Sequence, residues 1–278
     1  MYESYLTNGK QLSFEKAQVM AVINLTPDSF YDGGKFSSTA DVLKDAEMKV
    51  NEGATILDLG AASSRPGAAV VSEEEEIARL KEPLRELRHA FPHVFISVDT
   101  YRAPVAEFAI QSGADIINDI SGGLLDKDML PLIAANQVAY VLMHMQGTPQ
   151  TMQQHPHYTE VVTDVVAFFQ ERIAVCERLG ISKLILDPGF GFGKTQLHNY
   201  QLLKHLDAVV ALGYPVLSGI SRKAMVNSVL HTSPVTALNG TTVLNTLALH
   251  NGSKLIRVHD VREARQAVEI LAYYQSVN

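Results

Sequence analysis

Cysteine is nearly absent. Cys176 is the only one in 278 residues, and tryptophan is missing altogether. A single thiol excludes an intrachain disulfide and a multi-cysteine metal site, and it fits a reducing compartment. Basic charge is also in short supply: 23 Lys and Arg against 30 Asp and Glu give a net charge of −7. Such a chain carries no global nucleic-acid footprint. An anionic substrate must be held by a local cluster, not by the overall field. No stretch approaches the ~18 apolar residues of a membrane span. The opening MYESYLTNGKQLSF lacks the basic stretch and apolar core of a secretory signal. The expectation is a soluble, cytoplasmic protein with neither nucleic acid nor membrane as a partner.

No low-complexity linker divides the sequence, which reads as one domain over 1–278. One pattern recurs: a helical segment ends at Gly, a short apolar run follows, and a polar cluster closes it. Gly53, Gly113, Gly180, Gly213 and Gly252 precede runs at 54–60, 114–120, 181–189, 214–221 and 253–260. Glycine suits the left-handed residue just past a helix end. Runs at 19–25, 94–99 and 138–144 lack that Gly, and Asn136 is expected to cap in its place before the last. Short β-branched runs suggest strands buried on both faces. Helices are expected at 39–52, 72–90, 103–112, 127–135, 159–180, 196–211, 235–250 and 261–275. Ser72 and Glu75 have capping-box spacing, and Pro83 predicts a kink or break. Eight alternations in about 260 residues point to a (β/α)8 TIM barrel, with residues 1–18 as a short N-terminal hairpin or cap over its bottom. The rival is a doubly wound open sheet. The barrel is favoured because no Gly-rich dinucleotide fingerprint follows the first strand. Residues 26–38 read as a long loop after it.

In such a barrel the active site lies at the C-terminal ends of the strands. The runs close on Asn24, Asp58, Asp99, Asn118 with Asp119, Met143 with His144, Asp187, Ser221 with Arg222 and Lys223, and Arg257 with His259 and Asp260. Arg65, Lys223, Arg257 and His259 are anion ligands by type, so a phosphate or diphosphate is the natural guest. The competing reading makes Arg257 a structural ion pair with Asp58 or Asp260. Asp99, Asn118 and Asp187 match the donor and acceptor edge of a flat heterocycle, or else cap the following helices. Met143 and Phe192 supply apolar walls or plain core. GFGFGKT resembles a phosphate loop, but Walker spacing requires Gly where Pro188 stands. HPH at 155–157 reads as a solvated loop, and Cys176 as a buried inert thiol.

These closing clusters carry a resemblance. VINLTPDSFYDGG (22–34), SSRPGA (63–68), SVDT (97–100), INDI (117–120), LMHMQGTPQTMQ (142–153), LDPGFGFGK (186–194), GISRK (219–223) and IRVHDV (256–261) are similar, in order, to the motifs of the dihydropteroate synthase family. The resemblance implies a TIM barrel that joins 6-hydroxymethyl-7,8-dihydropterin diphosphate to p-aminobenzoate, releasing diphosphate through an SN1-like step. It implies pterin binding by Asp99, Asn118, Asp187 and Lys223, in a slot lined by Met143 and Gly219. It implies diphosphate binding by Arg65, Arg257, His259 and Asn24, with Asn24 helping to ligate Mg2+. Ser64, Pro66, Phe192, Ser221 and Lys223 form the implied p-aminobenzoate site, where sulfonamides compete. Asp99, Lys223, Arg257 and His259 are the implied catalytic groups, and a homodimer is the usual assembly. The second loop reads AASSRPG (61–67) where the family usually has Gly-Glu-Ser-Thr-Arg-Pro-Gly; Ser64 keeps the hydroxyl of the threonine it replaces.

Three other readings share parts of this pattern. A non-catalytic pterin-binding paralogue would lack the diphosphate ligands that are present here. A pterin-dependent methyltransferase needs a corrinoid or zinc partner for which the chain has no ligands. A Schiff-base aldolase would use Lys223 as nucleophile.

Overall fold

The apolar runs become parallel strands of one eight-stranded sheet. The computed structural model describes residues 4–25, 38–62 and 71–277. A hairpin of β1 (Ser4–Thr7) and β2 (Lys10–Ser13) comes first. Then follow β3 (Gln18–Asn24), α1 (Thr39–Asn51), β4 (Ile56–Gly60), α2 (Glu73–Ala90), β5 (Phe95–Asp99), α3 (Ala103–Gln111), β6 (Ile116–Asp119), α4 (Met129–Asn136) and β7 (Ala139–Met143). The second half carries α5 (Val161–Arg178), β8 (Leu184–Asp187), α6 (Gln196–Lys204), α7 (Asp207–Val210), β9 (Leu217–Ser218), α8 (Ala224–Leu230), α9 (Leu238–His250), β10 (Leu255–Val258) and α10 (Val261–Ser276). The strand order is β8-β7-β6-β5-β4-β3-β10-β9. A parallel bridge between Leu186 and Val216 joins the two ends, and the Leu186 N–H donates to the Pro215 carbonyl at 2.9 Å. The ring is therefore closed. The expected barrel is the fold, and the open sheet is not.

Register sorts the side chains. The pairs Met20↔Ile56↔Phe95, Ile116↔Ala139 and Val141↔Ile185 follow from the strand alignments. These residues pack with Leu217 and Leu255 as the barrel's inner cluster. Their neighbours in sequence, such as Ala21, Leu57, Ile96, Ile117 and Leu186, face the helices and form the larger outer core. Strand side chains alternate with period two. Two or four residues beyond the inner cluster, the same parity therefore delivers Asn24, Asp99, Asn118, Met143, Asp187 and Arg257 to the inside of the upper rim.

The hairpin fills the lower end. Asn8 and Gly9 both have positive φ, 47° and 73°, as a two-residue hairpin turn of the Asn-Gly type requires. Tyr5, Leu12 and Phe14 join the inner cluster from below. Asp115, at the foot of β6, is fully buried and takes hydrogen bonds from Lys10 Nζ (2.6 Å), Arg88 Nη2 (2.6 Å), Asn8 Nδ2 (3.1 Å) and the Ile96 N–H (2.9 Å). The Thr7 hydroxyl donates to its carbonyl at 2.9 Å. The expected cap over the barrel bottom is thus present and bolted to one carboxylate.

Local expectations fare unevenly. The five predicted glycine caps all have positive φ. Before β7, however, the left-handed residue is Gln137 (φ 54°), and Asn136 is the last residue of α4. The Ser72 side chain accepts from the Glu75 N–H at 3.2 Å, as its spacing predicts. Yet α2 runs unbroken through Pro83. Proline inside a helix costs ~3 kcal/mol. Burial of Leu80, Leu84 and Leu87 against the sheet contributes ~1.5–3 kcal/mol each and outweighs that cost. The helix expected at 196–211 divides at His205, which closes α6 with φ −111°. Helix α8 was not anticipated. It is seven residues long and buries only Met225 and Val226, too short a stripe for periodicity to register.

Candidate active site

Arg257 is the hub of the rim. Its Nε donates to Asp58 Oδ2 at 2.6 Å and its Nη2 to Asp99 Oδ2 at 2.9 Å. Asp58 Oδ2 also accepts from Asn118 Nδ2 at 3.2 Å. Four strands, β4, β5, β6 and β10, are thereby tied through one polar network above the inner apolar layer. The ion-pair reading of Arg257 is half right: Asp58 is its partner, but Asp260 is held by Arg222, at 2.9 and 2.6 Å. In the sequence Asp58 closes the second apolar run and is a pairing candidate for Arg257, but is not among the expected ligands; it is a wholly buried member of the site. A lone carboxylate at inward parity in ILDLG was the available signal. Among the described residues, Asp58 Oδ1 and the Oγ of Ser97, its register partner, have no hydrogen-bond partner. Burying such groups unpaired costs ~1–3 kcal/mol each.

The electrostatics follow from burial. Desolvation pushes the Asp99 carboxyl up to about 7 against the pull of Arg257, with Asp58 adding to the rise. Asp187 is also raised by burial, opposed by Lys223 and by the Gly189 N–H, which donates to its Oδ1 at 2.7 Å. The Lys223 ammonium is lowered to about 8 by desolvation, with Asp187 working the other way. Lys223 Nζ donates to the Phe190 carbonyl at 2.6 Å and lies 4.6 Å from the centre of the Phe192 ring. A Cβ added to Gly219 would sit 3.7 Å from Lys223 Nζ, 3.9 Å from Asp187 Oδ2 and 4.0 Å from Arg257 Cβ. That glycine keeps open the space between the three charged groups. Met143 is buried at the end of β7, facing inward beside its register partner Asp187.

Ser221 and His259 meet at the same mouth. The Ser221 Oγ accepts the His259 backbone N–H at 3.2 Å and lies 3.0 Å from its Nδ1. With the hydroxyl proton directed at Nδ1, the ring proton sits on Nε2. Asn24 Oδ1 lies 3.8 Å from where a Cβ on Gly60 would be, and Asp99 borders the same point. The structure thus brings Asn24, Asp99, Asn118, Met143, Asp187, Phe192, Gly219, Ser221, Lys223, Arg257 and His259 to one opening. Ser64, Arg65 and Pro66 lie outside the described residues, as does most of the 26–38 loop.

Two polar residues at strand ends face away. Asp119 accepts from Tyr140 OH (2.6 Å), Ser121 N (2.7 Å), Ser121 Oγ (2.7 Å) and Gly123 N (2.8 Å), which shapes the turn after β6. His144 is buried on the outer side, with its ring edge-on to Phe168 at 4.9 Å. Both are one residue out of phase with the site.

Comparison with known proteins agrees with this geometry. Residues 20–259 match the family described as pterin binding enzyme. Dihydropteroate synthase of Escherichia coli K12 is 43% identical over 265 residues, 95% of this chain and 93% of that protein. The chain belongs to the dihydropteroate synthase family. Among solved structures, the dihydropteroate synthase of Yersinia pestis with a sulfonamide drug complex superposes with a TM-score of 0.94 at 40% identity, covering 99% of this chain and 100% of that one. The dihydropteroate synthase of Xanthomonas albilineans with 4-aminobenzoic acid gives 0.92 at 36% identity, with both chains fully covered. Within a dihydropteroate synthase fold the PGFGFG stretch therefore needs no phosphate-loop reading. Gly189 has φ +69°, and a Cβ there would lie 2.0 Å from the His144 carbonyl. The glycines let this loop press against β7, consistent with the missing Walker spacing.

Proposed function

We propose that this chain condenses 6-hydroxymethyl-7,8-dihydropterin diphosphate with p-aminobenzoate to give 7,8-dihydropteroate and diphosphate, as a folate-pathway transferase inhibited by sulfonamides. The observation that carries the reading is the convergence of Asp99, Asn118, Asp187, Lys223, Arg257 and His259 on one mouth of a family barrel. Asp99, Asn118 and Asp187 hold the donor–acceptor edge of the pterin, with Met143 and Gly219 along its faces. Arg257 and His259 Nε2–H take the diphosphate, together with Arg65. Ser64, Pro66, Phe192, Ser221 and Lys223 receive p-aminobenzoate.

The chemistry suits an ionising step. The C–O bond breaks with its electron pair leaving on the diphosphate, and the ring-conjugated methylene is left cationic. Charge building on the leaving group meets donors already fixed by the Asp58 and Asp99 contacts of Arg257, so little reorganisation is required. An ionised Asp99 faces the developing cation. The neutral aniline nitrogen attacks without a strong base and then loses its proton.

Mg2+ suits this site as an ion carried in by the diphosphate, with Asn24 as a protein ligand. No cluster of three or more His, Cys, Asp or Glu suited to a metal is present among the described residues. Asn24 offers one amide oxygen at the rim, and Mg2+ commonly takes few protein ligands beside phosphates and waters. Bound there, it would neutralise diphosphate charge.

Purified protein given both substrates and Mg2+ should release diphosphate in step with dihydropteroate, and a sulfonamide should compete with p-aminobenzoate. Diphosphate release that ignores p-aminobenzoate would reject the reading. The pH profile adds a check. Lys223 loses its proton above about 8, so kcat/KM for p-aminobenzoate should fall on the alkaline side of that value. Lys223→Arg should carry that limb to higher pH, since guanidinium does not titrate there.

The reading extends to one domain over 1–278, a cytoplasmic setting and a homodimer. No helix among the described residues is long and apolar enough to cross a membrane. An exposed apolar face of Val243 and Leu247 on α9 with Ile270, Tyr273 and Tyr274 on α10 supports the dimer. Light scattering should give twice the chain mass, falling to one chain in an Ile270→Asp, Tyr273→Asp variant.

A further inference from the structure

Behind the candidate site lies a second lysine that none of the proposed steps uses. Lys194 is buried, with 4% of its surface exposed. Its Nζ reaches the carbonyls of Gly189 (3.0 Å), Phe192 (3.1 Å) and His144 (3.4 Å), and Nδ1 of His144 (2.9 Å). An ammonium has three N–H donors. Here they are shared between two carbonyls of the 188–193 loop and the end of β7. Burial and the neighbouring ammonium hold the His144 ring neutral, lowered to about 2, so its Nδ1 is an acceptor.

The opposite side of the same loop faces the site. Lys223 Nζ donates to the Phe190 carbonyl at 2.6 Å and stacks over the Phe192 ring at 4.6 Å. A Cβ on Gly191 would meet Lys223 Cδ at 3.2 Å, so the loop backbone and the Lys223 stem are in close contact. The remaining loop groups are pinned from outside. The Gly191 N–H donates to Asn199 Oδ1 at 2.7 Å, and Tyr158 OH donates to the Gly193 carbonyl at 2.8 Å. One short loop is thus gripped by two lysines: the Phe190 carbonyl turns to Lys223, and the Gly189 and Phe192 carbonyls turn to Lys194.

We propose that Lys194 is a positioning residue for Lys223: by fixing the Gly189 and Phe192 carbonyls on the far side of the loop, it sets where the Phe190 carbonyl and the Phe192 ring hold the Lys223 ammonium. A buried ammonium is a costly way to brace a loop. What it provides that an apolar side chain does not is a fixed direction for three carbonyl dipoles. This inference rests on the proposed role of Lys223 at the p-aminobenzoate side.

The test is a double-mutant cycle on kcat/KM for p-aminobenzoate, with Lys194→Met, Lys223→Met and the pair, all checked for folding by thermal melting. Coupled residues depart from additivity and independent ones do not. Lys194→Met should lose at least about 10-fold in the wild-type background. In the Lys223→Met background the same change should cost under about 2-fold, because the group it positions is gone. Losses that multiply, or a Lys194→Met enzyme of wild-type efficiency, overturn the proposal. If Lys194→Met does not fold, Lys194→Gln, which keeps two donors, goes through the same cycle. If neither folds, Lys194 is a structural strut and the proposal is wrong. The Lys223→Met arm stands alone: full activity there would reject the role of Lys223 itself, whatever Lys194 does.

Discussion

Replacing Arg257 with methionine should lower turnover by roughly a thousandfold. Loss of one fixed donor to a developing anion typically costs about 10²–10³ in kcat, and Arg257 brings a full charge as well as its donors. Diphosphate release in steady state is the measurement; a rate within tenfold of wild type would remove Arg257 from the leaving-group site. The substitution also costs stability. Asp58 is wholly buried and Asp99 is pushed up to about 7 even with the guanidinium beside it. Removing one partner of a buried pair destabilises by about 3–5 kcal/mol. The exposed edge of Arg257, whose side chain is 22% accessible, places the loss near 3 kcal/mol. The sign with pH is fixed. The Asp99 carboxyl, raised further by loss of the cation, is tolerated while protonated and penalised once ionised. The stability deficit of Arg257→Met should therefore be smaller at pH 5 than at pH 8, read from denaturant midpoints at both values.

Asp115→Ala should be the most destabilising single change at the other end of the barrel, by about 3–5 kcal/mol. It strips the shared acceptor from Lys10 and Arg88, each within 2.6 Å, and orphans the Ile96 N–H. The two cations are only 18% and 23% exposed, so water replaces the carboxylate incompletely. The hairpin loses its anchor, and with it the packing of Tyr5, Leu12 and Phe14 under the inner cluster. Urea unfolding measures the loss. A deficit below about 1 kcal/mol would mean that the apolar plug alone holds the hairpin. Turnover per folded molecule should be unchanged, because the clamp lies at the opposite end from the rim.

Much of this was legible in the residues. A parallel barrel needs strands buried on both faces, and that need writes itself as short apolar runs from Val19 to Val258. The rim groups were visible because each run ends on a polar residue. What the sequence could not separate was which of two adjacent polar residues turns inward. Asn118 and Asp119 look equivalent, as do Met143 and His144, until register assigns them to opposite faces. Asp58 closes its run as Asp99 does, but an acid that can pair with Arg257 reads equally as a structural ion-pair partner. Lys194 was invisible as a buried group, since a lysine after GFG suggests a solvent-facing ligand. Three helix features differ from the local reading: Pro83 lies within an unbroken α2, the helix after Thr195 breaks after Lys204, and α8 is present.

The alternation along β6 has a consequence for how tightly the chain must be aligned as it folds. Slip that strand by one place and Asn118 would enter the greasy layer beneath the helices, while Asp119 would leave Tyr140 and swing its charge into the cavity. Ile117 would follow the acid inward, and Ile116 would abandon the plug. Every neighbour in the ring punishes the shift. The polar groups at the rim thus double as a proofreading device, rejecting misaligned closure before any ligand arrives.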